Sequence, residues 1–538
     1  LGLPENELTA SLDTQLRHDS LVSLLLALLR AWAADRPLII VLEDAHWLDS
    51  MSWALALDVA RSLQVARVPL LLLVVMRPFD EEFVQPELQA LLNLPDGDRI
   101  VLGNLSLDET LALAAARLGL TRETVPPALA RLIRSRAGGN PFFAEELVYA
   151  LRDSGLIEVD TTKSPTRCRV LGDLEQAEQA LPDNIQGLIL SRIDRLPPEK
   201  QLTLNVAAVI GRTFAYTTLS DTLRDHMEVS GNLLMAYLDD LHHLELTPMD
   251  VPEPELTYIF KHIITQEVAY DTLLFAQRRQ LHRSVGNWYE RHFDPDGNVT
   301  GPVIAGRLPG GALESPLAPY FPLLVYHYRQ ADSEPVERMY AWLAGRWAAA
   351  KYANTEADGY LSRALALTPE TEREARYDLL LVREGVNDLR GERERQRLDL
   401  DDLGRLATGL DDSGRRCRTL LRQANYHETV SDYPAGLVAV AAAIEQARQA
   451  GDRPAEVEAL IARGRLLWRQ GEYPAAQQPL EQALAMAREQ GDRRGEARSL
   501  YYLGDVALYQ NDYPPAEDYF SRALDMYRAV GDRQGEAD

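Results

Sequence analysis

Cysteine is nearly absent. Only Cys168 and Cys417 occur in 538 residues, with neither pairing nor metal-ligand spacing. That excludes a disulfide framework or a zinc site and fits a reducing compartment. Lysine is scarce too: Lys163, Lys200, Lys261 and Lys351 are the whole supply, and none follows a glycine loop. No G-x-x-x-x-G-K-[ST] stretch appears. These residues therefore hold no cradle of backbone N–H groups for β- and γ-phosphates. Long hydrophobic runs are missing as well, since Leu21–Leu29 and Pro69–Met76 fall short of the roughly 20 residues of a membrane span. Basic charge is in deficit, with 56 Lys and Arg against 81 Asp and Glu and a net charge of −25. Such a surface disfavours bulk binding to nucleic acid or anionic membranes. The ten histidines show no metal spacing, and no Ser/His/Asp or Cys/His arrangement stands out.

What is present is ordinary globular composition, 46% hydrophobic and 25% charged, in a chain long enough for three or four domains. Leucines at 21, 24, 25, 28 and 29 predict a helix over 16–34. Leu38–Leu42 and Val68–Met76 read as fully apolar strands around a helix capped at Asp49–Ser50, and Arg99–Leu102 as a short third strand. Apolar strands alternating with helices predict a parallel sheet covered on both faces. In such sheets ligands bind beyond the carboxyl ends of the strands, where Glu43, Asp44 and Arg77 stand.

Farther on, Gly138 and Gly139 close one helix and Pro141 opens the next. Residues 182–293 are mostly helical, with a two-stranded wing expected between Leu246 and Phe260. The Gly/Pro-rich stretch Asp294–Pro322 reads as a linker. Beyond it the sequence repeats every forty residues: Gly451-Asp-Arg, Gly491-Asp-Arg and Gly531-Asp-Arg, and Tyr433-Pro, Tyr473-Pro and Tyr513-Pro. Small residues alternating with bulky ones (Leu460, Gly464, Ala476, Leu480; then Leu500, Gly504, Ala516, Phe520) define a helix–turn–helix unit of the tetratricopeptide kind. A unit around Gly345, Ala357 and Leu361 has more ordinary length, and 376–410 reads as a degenerate unit at best.

A strand that ends in adjacent carboxylates can hold magnesium and polarise an attacking water. It can equally be a buried strand with an acidic exit. The order LIIVLEDAHWLD, LLLLVVMRP, GNPFFAEELVYAL, FKHIITQEVAYDTLLFAQRRQLHRSV resembles the signal-transduction ATPases with numerous domains. It is most similar to the branch attached to bacterial adenylate/guanylate cyclases and large LuxR-type regulators. The resemblance implies a mainly α chain. A truncated P-loop-type α/β parallel-sheet domain (1–104) comes first, then a helical lid (105–181) and a winged-helix region (182–293). A linker (294–322) leads to an α-solenoid of tetratricopeptide repeats (323–538). It implies ATP or ADP with Mg2+ as cofactors. Glu43 and Asp44 would stand as the Walker B acids and metal ligands, and Arg77 as a sensor arginine toward the γ-phosphate. Gly139, Asn140 and Pro141 match an element that packs near adenine, and His262 a histidine that contacts the β-phosphate of ADP.

The bland alternatives are a strand-capping arginine at Arg77, a helix start at Pro141 and a helix-capping histidine at His262. Trp47 reads as core, His46 as near the site, and Arg278, Arg279 and His282 as a solvated basic face. The chain does not begin with methionine and stops inside a repeat. It therefore reads as a cytoplasmic fragment whose phosphate loop lies upstream, with no ATP hydrolysis of its own. Its expected partner is a protein or peptide on the repeats, with self-association open and no nucleic acid or membrane. A scaffold with a degenerate NTPase domain, or the sensor of a LuxR-type activator, is the rival reading.

Overall fold

A computed structural model describes residues 14–66, 69–77, 86–95, 97–160, 166–174, 181–304, 308–532 and 535–536. The chain is mainly α and divides into two compact units, 1–97 with 338–538, and 98–337.

The first segment runs α1 (Thr14–Asp35), β1 (Leu38–Leu42), α2 (Ser50–Ala66), β2 (Leu70–Val74) and α3 (Pro86–Leu92). The intervening helix makes β1 and β2 parallel neighbours, in register from Leu38↔Leu70 to Leu42↔Val74. Leu42, Val74 and Met76 pack on a small core of Ala45, Trp53 and Leu88. The opposite face, with Ile39, Val41, Leu71 and Leu73, is exposed. Coverage on both faces, expected from the all-apolar strands, is therefore not present among the described residues. The expected third strand does not form either: Ile100, Val101 and Leu102 are exposed and outside any strand. An apolar run becomes a strand only beside a partner that takes its N–H and C=O groups.

The second unit opens with α4 (Leu107–Arg117), started by a Ser106–Glu109 capping box. α5 (Pro127–Arg136) and the almost wholly buried α6 (Pro141–Asp153) follow. An antiparallel hairpin, β3 (Ile157–Asp160) with β4 (Arg167–Val170), comes next. Then come α7 (Ile185–Ile193), α8 (Pro198–Ile210), β5 (Thr213–Ala215), α9 (Tyr216–Arg224), α10 (Gly231–His243), β6 (Met249–Val251) and β7 (Thr257–Ile259). The last two fall within the stretch expected to hold two strands, and β5 joins them in a sheet of order β5-β7-β6. Helices α11 (Ile263–Asp271) and α12 (Phe275–Phe293) close this core.

The stretch expected as a linker is packed instead. Asp294 accepts N–H bonds from Asn298, Val299 and Thr300 at 3.0, 3.0 and 2.7 Å, which turns the chain into α13 (Thr300–Ile304). Val299, Val303, Leu317 and Phe321 are buried, and α14 (Phe321–Gln330) follows. Glycine and proline here bend a chain whose apolar residues still find a core.

The C-terminal helices stack in pairs: α15 (Glu334–Ala350) with α16 (Asn354–Leu367), α17 (Arg373–Arg390) with α18 (Arg393–Gly409), α19 (Ser413–Thr429) with α20 (Tyr433–Ala450), α21 (Arg453–Arg469) with α22 (Tyr473–Gln490), and α23 (Arg493–Tyr509) with α24 (Tyr513–Val530). From α17 onward the first helix of each pair starts forty residues after its predecessor. Where paired helices cross, glycine is required by space. A Cβ on Gly464 would sit 2.4 Å from Leu480 Cγ, and one on Gly504 2.7 Å from a Phe520 ring carbon.

The unit that reads as degenerate, 376–410, is a complete helix pair. Glu384 occupies the place of Ala424, Gly464 and Gly504, and Gln396 that of Gly436, Ala476 and Ala516. Gln396 Nε2 donates to Glu384 Oε1 at 2.8 Å and Arg422 Nε to Oε2 at 2.6 Å, with Glu384 and Gln396 both buried. A polar pair does there what small-on-bulky packing does in the later repeats.

Candidate functional site

Two groups of residues carry the site expectations. In the first, β1 ends at Leu42, Glu43 is exposed, and Asp44 turns the chain with a left-handed conformation (φ 50°, ψ 37°) into a 3-10 turn over Ala45–Trp47. The parallel pairing continues past the strands: Val75 N donates to Leu42 O and Ala45 N to Val75 O, both at 2.9 Å. That fixes the acids beside the exit of β2, where exposed Arg77 follows. Glu43, Asp44 and Arg77 thus leave one edge, at the carboxyl ends of adjacent parallel strands, where ligands of such sheets bind. Trp47 is not core; it is 78% exposed, because the tight turn that buries Ala45 throws the next-but-one side chain outward. Both ring nitrogens of His46 are buried without a hydrogen-bond partner.

The second group lies on α6 and α11. Gly138 and Gly139 adopt positive φ (55° and 80°) and end α5. A side chain on Gly139 would strike the Leu105 carbonyl oxygen at 2.5 Å, and Leu105 N donates to Gly139 O at 2.8 Å. Asn140 caps α6 by accepting from Phe143 N at 3.1 Å, and Pro141 fills the first helical position. The helix-start reading of these residues is met in full.

His262 precedes α11 but makes no side-chain cap. Its ring instead lies 3.9 Å from that of Phe142, so the structure brings His262 to the first turn of α6. Burial first, and the Lys261 ammonium second, push its pKa down to about 4, so the imidazole is neutral at pH 7. Its Nε2 is buried without a hydrogen-bond partner, as is Glu145 Oε2, and the two are 3.9 Å apart. Leaving such an atom unmet costs about 1–3 kcal/mol, which favours a ligand or water there. A neutral imidazole nitrogen can serve either as donor or as acceptor.

Around this atom the structure assembles residues that pattern reading did not single out. Arg117 Nε donates to Glu145 Oε1 at 2.8 Å. Lys261 Nζ donates to Tyr149 Oη at 3.2 Å and to Glu245 Oε2 at 2.9 Å. On the next residue of α6, Glu146 meets Arg192 at 2.7 Å, both buried. Burial holds the Glu146 carboxyl above its ordinary range despite that guanidinium. The available signal was the acidic pair Glu145-Glu146 inside the otherwise apolar FFAEELVYAL. Acids within a buried helix imply cationic partners.

The expected solvated basic face on α12 holds for exposed Arg279 and fails for His282. Arg278 is held by Asp271 at 3.0 Å and Arg279 by Asp332 at 3.1 Å. His282 is fully buried between Tyr270 Oη at 3.0 Å and His327 Nδ1 at 2.8 Å. Two arginines beside a histidine look solvated in sequence, yet helical spacing turns His282 onto the buried face.

The chemistry of Glu43 and Asp44 can be set against what a magnesium–nucleotide would need. Two carboxylates at a strand exit suit magnesium, which takes one or two carboxylates and completes its shell with water and phosphate oxygens. No group of three or more potential ligands that could hold a metal exists among the described residues. No G-x-x-x-x-G-K-[ST] stretch occurs in the 538 residues. No helix among the described residues is long and apolar enough to cross a membrane.

Comparison with known proteins adds three findings. Residues 106–164 match a family described as a domain of unknown function (DUF8739), and 415–489 and 480–529 match the tetratricopeptide repeat. The solenoid is thus of that repeat class. An uncharacterized protein of Rhizobium meliloti (strain 1021) is 27% identical over 288 residues, which is 53% of this chain and 25% of that relative. The chain therefore spans about a quarter of the curated relative it matches. Among solved structures, a Signal Transduction ATPase with Numerous Domains protein with a tetratricopeptide repeat sensor, from Pyrococcus horikoshii, is similar at 12% identity and TM-score 0.36, over 96% of this chain and 72% of that one. Aspartyl phosphate phosphatase F from Bacillus subtilis is similar at 12% identity and TM-score 0.32, over 65% of this chain and 91% of that one. Neither likeness is close enough to carry over a function.

Proposed function

We propose that the chain is the regulatory, nucleotide- and partner-binding portion of a longer cytoplasmic signal-transduction ATPase that controls a cyclase. In this reading residues 1–104 are the end of a P-loop NTPase core, 105–181 its lid, 182–293 a winged-helix packing element, and 323–538 the partner-binding repeats. Asp44 or Glu43 holds magnesium, Arg77 faces the γ-phosphate, and Asn140–Pro141 and His262 respond to adenine and the β-phosphate. One observation supports it above the others: β1 and β2 are parallel neighbours, so both acids and Arg77 leave the same edge. A guanidinium beside two carboxylates suits a magnesium–triphosphate by forked hydrogen bonding. The neutral, unpartnered His262 Nε2 adds a second place where an anion would gain a hydrogen bond.

The test is magnesium-dependent ATP turnover. The full-length parent turns over ATP, Arg77→Ala in the parent loses at least tenfold, and the 538-residue chain alone shows none. Turnover by the chain alone, or unchanged turnover in Arg77→Ala, contradicts the reading. The missing phosphate cradle favours a second reading, a non-catalytic scaffold. A parent that binds no ATP, yet captures a protein through its repeats, establishes it.

A further inference from the structure

A row of unpaired charges runs along the first helices of successive repeats. Arg418 on α19, Glu458 on α21 and Arg498 on α23 are forty residues apart and so occupy equivalent positions. Together they line one cavity of about 390 Å³, with Leu421, Val457 and Ile461 as apolar lining and Asp452, Asp492 and Arg494 as further charges. Asp378 holds the same position on α17, so the charge alternates −, +, −, + over four units. Several neighbouring charges on these helices are used internally. Arg415 lies 3.5 Å from Glu374, Arg465 2.8 Å from Glu428, and Arg494 2.9 Å from Asp532. None of the four makes an ion pair within 4 Å among the described residues, although Asp378 lies in the fields of Arg415 and Arg418.

Spacing constrains what could meet them. The helices that carry the row touch directly: Tyr377 Oη donates to Arg415 O at 3.0 Å, and Arg465 Nη2 to Asn425 Oδ1 at 2.6 Å. Packed helices of this kind lie about 8–10 Å apart. A polyproline II segment rises about 3.1 Å per residue with three residues per turn, so every third side chain falls on one face about 9 Å from the last. A β-strand cannot do this, because its residues three apart point to opposite faces. Such a segment also presents a fully exposed backbone at small ordering cost.

We propose that the α19–α21–α23 groove binds an extended, polyproline II-like peptide with acidic–x–x–basic–x–x–acidic charge. The acids pair with Arg418 and Arg498, the base with Glu458, and the intervening residues lie over Leu421 and Ile461. This rests on the reading of the repeats as the partner-binding part and names that partner's chemistry.

The experiment is fluorescence anisotropy on the 538-residue chain without nucleotide, so it is independent of the ATP site. The probes are labelled EPPKPPE, its charge inverse KPPEPPK, and the clustered-charge EEPPPPK. EPPKPPE binds at least tenfold tighter than the clustered peptide. The triple reversal Arg418→Glu, Glu458→Arg and Arg498→Glu loses EPPKPPE and gains KPPEPPK, a switch that a misfolded variant cannot produce. Equal affinity for EPPKPPE and the clustered peptide overturns the charge code while leaving partner binding on the repeats standing. No binding of any peptide by either protein overturns the groove itself. Concentration-dependent dimerisation by sedimentation that Glu458→Arg abolishes also overturns the proposal, by assigning the row to a second copy of the chain.

Discussion

The helix pair 373–409 and the three pairs after it fold alike and are built from different chemistry. In the later pairs a small residue on one helix accepts a bulky one from the other, as Gly464 accepts Leu480 and Gly504 accepts Phe520. In the earlier pair the same crossing is held by Glu384, Gln396 and Arg422, with Asp399 tied to Arg383 and Asn387 close by. One backbone period thus tolerates either dispersion and burial or a closed hydrogen-bond network. The two should fail differently. Small–bulky packing fails by overfilling, whereas a buried network fails when one member leaves the rest unmet.

The largest effect is expected at Glu384. Glu384→Ala strands Gln396 and removes the closest partner of Arg422, which costs about 3 kcal/mol in urea denaturation. Glu384→Gly with Gln396→Ala together imitates the later repeats and should recover more than half of that loss. A double variant as unstable as the single one would show that the two chemistries are not interchangeable.

Overfilling comes next. Gly464→Ala drives a methyl against Leu480 and should cost about 2 kcal/mol. Gly385→Ala meets only Arg422 Nη2 at 3.8 Å, and the helical backbone should gain up to about 1 kcal/mol there. Equal effects at the two glycines would break the contrast.

Buried polar pairs also respond to pH, which apolar crossings do not. Burial pushes His282 down to about 4 and His327 to about 3, from about 6.5 in an unfolded chain. Their stability contribution is therefore complete above pH 6.5 and is lost as pH falls, because the unfolded chain takes up protons that the folded chain refuses. The slope approaches about 1.4 kcal/mol per pH unit for each histidine. Between pH 6.5 and 5 the loss is on the order of 2 kcal/mol per histidine, read by denaturation, and His282→Gln should roughly halve the slope. An unchanged slope in that variant would remove the pair from the account.

Smallest are the surface pairs that recur with the repeat. Arg448–Glu456 and Arg488–Glu496, each at 2.7 Å, should contribute under about 1 kcal/mol apiece and less in high salt. A larger double-mutant coupling would mean that they order the turns.

The same contrast explains what the sequence shows and what it hides. The later repeats are legible because space forces glycine or alanine at fixed intervals, so residue type and spacing agree. The pair at 373–409 is not, because Glu384 and Gln396 look like solvated residues until the fold closes them together. β1 and β2 are legible from apolar runs between helical patterns, whereas the shorter apolar run Ile100–Leu102 lies outside any strand. The β3–β4 hairpin goes unseen because Glu158, Arg167 and Arg169 alternate with only a few apolar residues. At the candidate site, the two carboxylates, Arg77 and the Asn140–Pro141 turn are readable from local order. The set of Arg117, Glu145, Tyr149, Glu245 and Lys261, with only part of it buried, spans 145 positions of the chain and exists only after folding. His282 is misread for a related reason, since its burial is set by His327 on a helix that sequence spacing does not connect to it.

The central claim is that the acidic exit of β1 is the metal-binding half of a nucleotide site. Magnesium–ATP titration of the full-length parent beside its Asp44→Ala and Glu43→Ala variants tests it most directly. The account predicts that one of the two loses at least tenfold in magnesium-dependent affinity while ATP binding without metal changes little. Identical magnesium–ATP affinity in the parent and both variants would contradict it.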